Sequence, residues 1–168
     1  MKKTLRKKIV VVFGTRPEAI KLAPLILQLK CSSYLEVKIC VTGQHNEMLN
    51  QVLKVFKIKP DYNLKVMLPN QSLNSLFSKI IKKLEPVLDF ERPELVVVHG
   101  DTTTSFASAL CAFQLKVKVA HIEAGLRSGD IYSPWPEEGN RMLTSKLADY
   151  HFCPTHLNKR NLLTEGID

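Results

Sequence analysis

Long apolar runs are missing from this sequence. The longest near the start, Ile9 to Phe13, spans five residues, against the roughly 7–15 of a secretory signal core and the ~18 of a membrane span. Paired cysteines are missing too. Cys31, Cys40, Cys111 and Cys153 form no C-x-x-C, which argues against a disulfide scaffold or zinc ribbon and for a reduced, cytoplasmic interior. Glycine is scarce, at 7 of 168 residues, and occurs in neither the G-x-G-x-x-G dinucleotide fingerprint nor the G-x-x-x-x-G-K-[ST] phosphate loop. A nicotinamide dehydrogenase and a P-loop NTPase are therefore disfavoured. His45, His99, His121, His151 and His156 fall at no metal-ligand spacing, so no catalytic metal and no cofactor is expected, and His121 and His151 read as structural.

What is present is a foldable chain. With 45% hydrophobic and 24% charged residues, 168 residues suit one domain with a packed core. The net charge is +8, but Lys2, Lys3, Arg6, Lys7 and Lys8 concentrate five positive charges in a leader. Residues 1–8 are expected to be a disordered, solvated terminus, with the domain running over 9–168. Charge gathered on one end is not the basic face of a nucleic-acid binder, so no nucleic-acid or membrane partner is expected.

Strand and helix patterns alternate along the domain. Continuous β-branched runs at Ile9 to Phe13 and Leu95 to Val98 read as parallel strands buried on both faces, with further strands at Leu35 to Val41, Val117 to Ile122 and His151 to Cys153. A weak strand is expected near Leu64 to Met67. Helical spacing follows Thr15-Arg16-Pro17-Glu18, which has capping-box form, and recurs over Glu47 to Phe56, Ser72 to Leu88, Thr102 to Phe113, Pro136 to Tyr150 and His156 to Glu165. The fold expected is α/β, a Rossmann-like three-layer parallel sheet.

Ligands of such sheets lie beyond the carboxyl ends of the strands. There the chain places Arg16, His45, His99, Asp101 and Glu123, from four separate strand ends. The start of the first helix offers free N–H groups to an anion, with Arg16 and Lys21 adding charge. Asp101 reads either as a functional carboxylate or as a helix N-cap. Glu123 ends a buried strand and needs either a cation, for which Arg127 is the structural alternative, or a catalytic task. Glu137 and Glu138 enter a helix after Ser133-Pro134-Trp135-Pro136, and at most one of them should face the crevice.

Four segments together resemble the non-hydrolysing bacterial UDP-N-acetylglucosamine 2-epimerases: Phe13-Gly14-Thr15-Arg16-Pro17-Glu18-Ala19-Ile20-Lys21, His99-Gly100-Asp101-Thr102-Thr103, His121-Ile122-Glu123-Ala124-Gly125-Leu126-Arg127 and Ser133-Pro134-Trp135-Pro136-Glu137-Glu138. The resemblance runs from about Ile9 to Asp168. It implies the N-terminal half of a GT-B fold and an isomerase that interconverts UDP-GlcNAc and UDP-ManNAc for polysaccharide biosynthesis. The route is loss of UDP to 2-acetamidoglucal and re-addition. By resemblance Asp101, Glu123 and Glu137 are catalytic, while Arg16, Lys21, His45, His99 and Arg141 bind substrate, the first two on the nucleotide side. A second Rossmann-like domain, in cis or in trans, is implied as partner, as is a homodimer. The 168 residues alone are expected to bind UDP weakly and to turn over negligibly. A hydrolysing epimerase and a non-catalytic nucleotide-sugar-binding remnant are the alternatives.

Overall fold

The computed structural model describes residues 6–43 and 46–168. Among the described residues six strands, β1 (Lys7–Phe13), β2 (Leu35–Val41), β3 (Tyr62–Asn63), β4 (Leu95–His99), β5 (Lys118–Ile122) and β6 (Tyr150–Phe152), form one sheet in the order β3-β2-β1-β4-β5-β6. Every pairing is parallel. The helices are α1 (Arg16–Lys30), α2 (Asn46–Val55), α3 (Leu73–Glu91), α4 (Thr103–Gln114), α5 (Glu137–Leu147) and α6 (His156–Thr164).

Alternate residues of the central strands feed two cores, as the two-residue period of a strand requires. Ile9, Val11 and Phe13 of β1 pack with Leu22 and Ile26 of α1 and Leu49 and Leu53 of α2. Val10 and Val12 pack on the other face with Ile80, Leu84 and Leu88 of α3 and Ala107, Cys111 and Ala112 of α4. Each fully buried Val, Leu or Ile contributes roughly 1.5–3 kcal/mol relative to exposure. This two-sided burial is why β1 and β4 read as unbroken apolar runs.

Two sequence-based boundaries need correction. β1 begins at Lys7, so Lys7 and Lys8 belong to the sheet instead of to a disordered leader. The Lys7 amide donates to the Tyr34 carbonyl at 2.9 Å, and Lys8 Nζ lies 2.6 Å from the buried Glu91 carboxylate. Residues 1–5 of the proposed leader lie outside the described residues. The third strand falls at Tyr62–Asn63, ahead of the expected Leu64 to Met67, because Tyr62 pairs with Cys40 in the register that β2 offers. Among the described residues, no helix is long and apolar enough to cross a membrane.

Candidate active site

The strand order reverses between β1 and β4, and at that switch point two parallel strands diverge into helices on opposite faces. A cavity of about 660 Å³ opens there. Its wall comes from the β1–α1 turn with Arg16, Glu18 and Lys21, the β4–α4 turn with His99 and Asp101, and Glu123 after β5. Arg141, from the second turn of α5, closes one side, and Met48 and Leu126 add apolar surface.

Glu123 leaves β5 with φ of +65°. That left-handed turn, unusual for a residue with a side chain, lets its carboxylate reach across two neighbours. Lys21 Nζ lies 2.7 Å from both carboxylate oxygens, and His99 Nε2 is 3.1 Å from Oε2. Burial lowers the pKa of His99, the Glu123 charge opposes this, and the Lys21 charge adds to it. The imidazole is thus held neutral, with Nε2–H free to donate to Glu123. Arg127, the structural alternative for Glu123, instead grips Glu165 at 2.6 and 2.9 Å and plays no part in this contact.

Asp101 is not the N-cap of α4. Thr102 takes that role, its hydroxyl accepting from the Ser105 amide at 3.1 Å. Asp101 is therefore released to meet Arg141 NH2 at 2.6 Å. Burial pushes the Asp101 pKa up, Arg141 pulls it down, and the like charges of Glu137 and Glu123 push it up again, the net direction being upward. A carboxyl in that setting binds and releases a proton closer to neutrality than an ordinary aspartate. Arg141 also lies 3.1 Å from Glu138, which is buried and accepts the Ser128 amide at 3.0 Å. Glu138 is thus the inward member of its pair. Glu137 is half-buried, lies outside the cavity wall and acts on Asp101 through charge.

At the start of α1 an acidic side chain of the protein itself takes the place expected for a bound anion. The Gly14 and Thr15 amides both donate to Glu18 Oε2, at 2.9 and 2.7 Å. With the Glu18 carboxyl on these amides, the cations that line the cavity are Arg16, Lys21 and Arg141. His45 lies outside the described residues. His121 is fully buried, with Nε2 2.7 Å from the Gly100 carbonyl, and His151 bonds the Ser145 carbonyl at 2.9 Å, so both support the backbone. Of the wall residues given no role from sequence, Thr15, Pro17, Glu18, Gly100, Thr102 and Leu126 lie in the segments that carry the resemblance, and Met48 lies outside them. Glu18 carried a second signal, the capping-box spacing.

Chemically the wall combines a carboxylate flanked by lysine and a neutral histidine, a second carboxyl of raised proton affinity anchored by arginine, and an exposed arginine beside them. Such a set can move protons at a carbon and accommodate an anionic leaving group.

Known proteins share this arrangement of chain. The profile of a family described as UDP-N-acetylglucosamine 2-epimerase matches residues 27–168. The UDP-N-acetylglucosamine 2-epimerase of Escherichia coli K12 is 54% identical over 160 residues, which is 95% of this chain and 43% of that protein. The crystal structure of the Neisseria meningitidis UDP-GlcNAc 2-epimerase bound to UDP-GlcNAc superimposes with a TM-score of 0.94 at 56% identity, covering 96% of this chain and 43% of the other. That of the Methanocaldococcus jannaschii enzyme in complex with UDP-GlcNAc and UDP gives 0.90 at 41% identity, covering 96% and 44%. The chain therefore spans less than half the length of these relatives, in a fold that corresponds to one half of a GT-B architecture. With the profile covering most of its residues and its strand-end segments set around one cavity, the chain belongs to the UDP-N-acetylglucosamine 2-epimerase family.

Proposed function

We propose that this chain forms one wall of an active site that interconverts UDP-GlcNAc and UDP-ManNAc. The supporting observation is the cavity at the β1/β4 switch point, where Glu123 and Asp101 stand in two different electrostatic settings beside Arg16 and Lys21. The ligands named for the Neisseria and Methanocaldococcus structures supply the substrate class.

In the forward direction a base removes the C2 proton, the C1–O bond breaks, and UDP departs with the bonding electrons, leaving a C1=C2 double bond in 2-acetamidoglucal. Return of a proton to the opposite face of C2, with UDP oxygen attacking C1, gives the epimer. Proton transfer on both faces needs acid/base groups on both sides of the ring, each worth typically ~10²–10⁴ in rate. Asp101 and Glu123 fill these roles and that of stabilising positive character on the ring, and Glu137, assigned with them from the resemblance, acts from outside the wall through its charge on Asp101. Arg16 and Lys21 face the departing diphosphate, and His99 and Arg141 hold the carboxylates at the sugar. His45 is assigned to substrate binding from sequence alone.

The rest of the site belongs to a second Rossmann-like domain, supplied in cis or in trans, and the assembly works as a cytoplasmic homodimer. Mixing the chain with the part of the E. coli relative beyond the aligned region, and following UDP-GlcNAc by ¹H and ³¹P NMR, tests the proposal. Appearance of UDP-ManNAc only in the mixture is expected. Release of free ManNAc with UDP, or no change in a mixture shown to associate, would contradict it.

A further inference from the structure

Glu18 is 2% exposed, yet among the described residues no cationic side chain pairs with it. Lys21 is engaged by Glu123, and Arg141 by Asp101 and Glu138. The groups facing Glu18 are the Gly14 and Thr15 amides from the β1–α1 turn on Oε2, the Thr15 hydroxyl, and two hydroxyls from the start of α4 on Oε1, Thr102 at 2.8 Å and Ser105 at 3.2 Å. A single carboxyl thus ties together the two turns that carry Arg16 and Lys21 on one side of the crevice and His99 and Asp101 on the other.

Ser105 Oγ also bonds the His99 carbonyl, which can only accept, so the single Ser105 hydroxyl proton is used there. The Thr102 hydroxyl has one proton for two neighbours, Glu18 Oε1 and Ser105 Oγ, which lies 3.0 Å away. Three oxygens, Glu18 Oε1, Thr102 Oγ1 and Ser105 Oγ, are mutually within hydrogen-bond distance, and an ionised Glu18 leaves them one proton between them. Adding a proton to Oε1 lets Glu18 donate to Ser105 while it still accepts from Thr102.

We propose that Glu18 is held as the neutral acid and bolts the β1–α1 turn to the β4–α4 turn, making it a positioning residue for His99 and Asp101. Burial without a counter-cation acts in the same direction: desolvation raises the Glu18 pKa against the hydrogen bonds from Gly14, Thr15 and Thr102. Its consequence for catalysis rests on the cavity being the nucleotide-sugar site. There a neutral Glu18 brings its fixed geometry to the wall without adding a negative charge beside a diphosphate. Displacement of a catalytic group by about 1 Å costs up to roughly 10² in rate, so a bolt between these turns matters to the chemistry.

The test uses the chain uniformly labelled with ¹³C. At pH 7 one glutamate Cδ resonance is expected at the protonated-acid position, and it is expected to vanish in Glu18→Gln. Every glutamate Cδ at the ionised position at pH 7 overturns the protonation. The positioning role is read from the His99 imidazole titration. Glu18→Gln, the isostere of the neutral acid, should leave its midpoint within about 0.3 units, while Glu18→Asp and Ser105→Ala, which shorten or remove a link, should move it by more than that. Unmoved midpoints in both folded variants overturn positioning. Neither measurement requires turnover, so failure of the epimerase reading is seen separately, as absence of UDP-ManNAc in the reconstituted wild type. In an active reconstitution, Ser105→Ala is expected to lower kcat at least tenfold with KM changed less than threefold.

Discussion

Acidification should destabilise this fold through His121. Its imidazole is fully buried, and burial drives its pKa from 6.5 down to about 4, with the Gly100 bond opposing and the His151, His99 and Arg127 charges assisting. In the unfolded chain the same ring titrates near its ordinary value. Between the two values the unfolded state holds a proton that the folded state does not, so the stability present above pH 6.5 is lost as pH falls toward 4. At 1.36 kcal/mol per unit the loss is about 3 kcal/mol, a large part of a typical stability of roughly 5–15 kcal/mol. Other groups titrate in this range, Glu18 with the opposite sign, so the comparison needs a matched variant. His121→Gln keeps an amide able to donate to the Gly100 carbonyl but does not titrate. Urea denaturation at pH 7.5 and pH 4 should show the stability gap between wild type and variant shift by about 3 kcal/mol against the wild type at the lower pH. A gap that does not change with pH refutes the reasoning, because His121 would then titrate alike in both states.

Other outcomes follow from single contacts. At Gly125 φ is +86° and an added Cβ would lie 2.2 Å from the Asn158 carbonyl oxygen, whereas at Gly129, with φ of +87°, nothing lies within 4 Å. Gly125→Ala should cost well over the ~1–2 kcal/mol of left-handed strain expected for Gly129→Ala, read as urea midpoints at unchanged slope. Arg141→Met leaves the buried Glu138 and the partly buried Asp101 without their cation, and should cost about 3–5 kcal/mol in the same assay. Adding Glu138→Gln should recover part of that loss. Lys21 is half exposed, so Lys21→Met should change stability by less than about 1 kcal/mol. Because the Lys21 charge lowers the pKa of His99, its removal should raise the His99 midpoint in a ¹⁵N imidazole titration.

The central strands β1 and β4 were legible because they are buried on both faces. Ile9 to Phe13 and Leu95 to Val98 have no polar interruption, and Thr15 to Glu18 announces the helix after β1. β3 was placed wrongly because two paired residues at a sheet edge, Tyr62 and Asn63, leave no periodic trace, while the expected Leu64 to Met67 is apolar for a different reason: Leu64 and Val66 pack into the α3 and α4 core. At the site, strand ends identified His99, Asp101 and Glu123, since topology alone carries those positions to one edge. Partner choice was not legible. That Arg127 takes Glu165 and leaves Glu123 to Lys21 depends on where α6 returns, and which of Glu137 and Glu138 turns inward depends on Arg141 one turn later. The double use of Glu18 was hidden because its hydroxyl partners, Thr102 and Ser105, lie more than eighty residues away in sequence.

Handling of the C2 proton of a nucleotide sugar by carboxylates at the ends of β4 and β5 is the heart of the proposed function. Its most direct measurement is deuterium at C2 of UDP-GlcNAc incubated in D₂O with the chain and its completing second domain. Wild type should incorporate deuterium at C2 as UDP-ManNAc forms, while Asp101→Asn and Glu123→Gln each slow incorporation by at least about 10² at unchanged fold. Epimerisation with C2 hydrogen fully retained, or full exchange in both variants, would contradict the account.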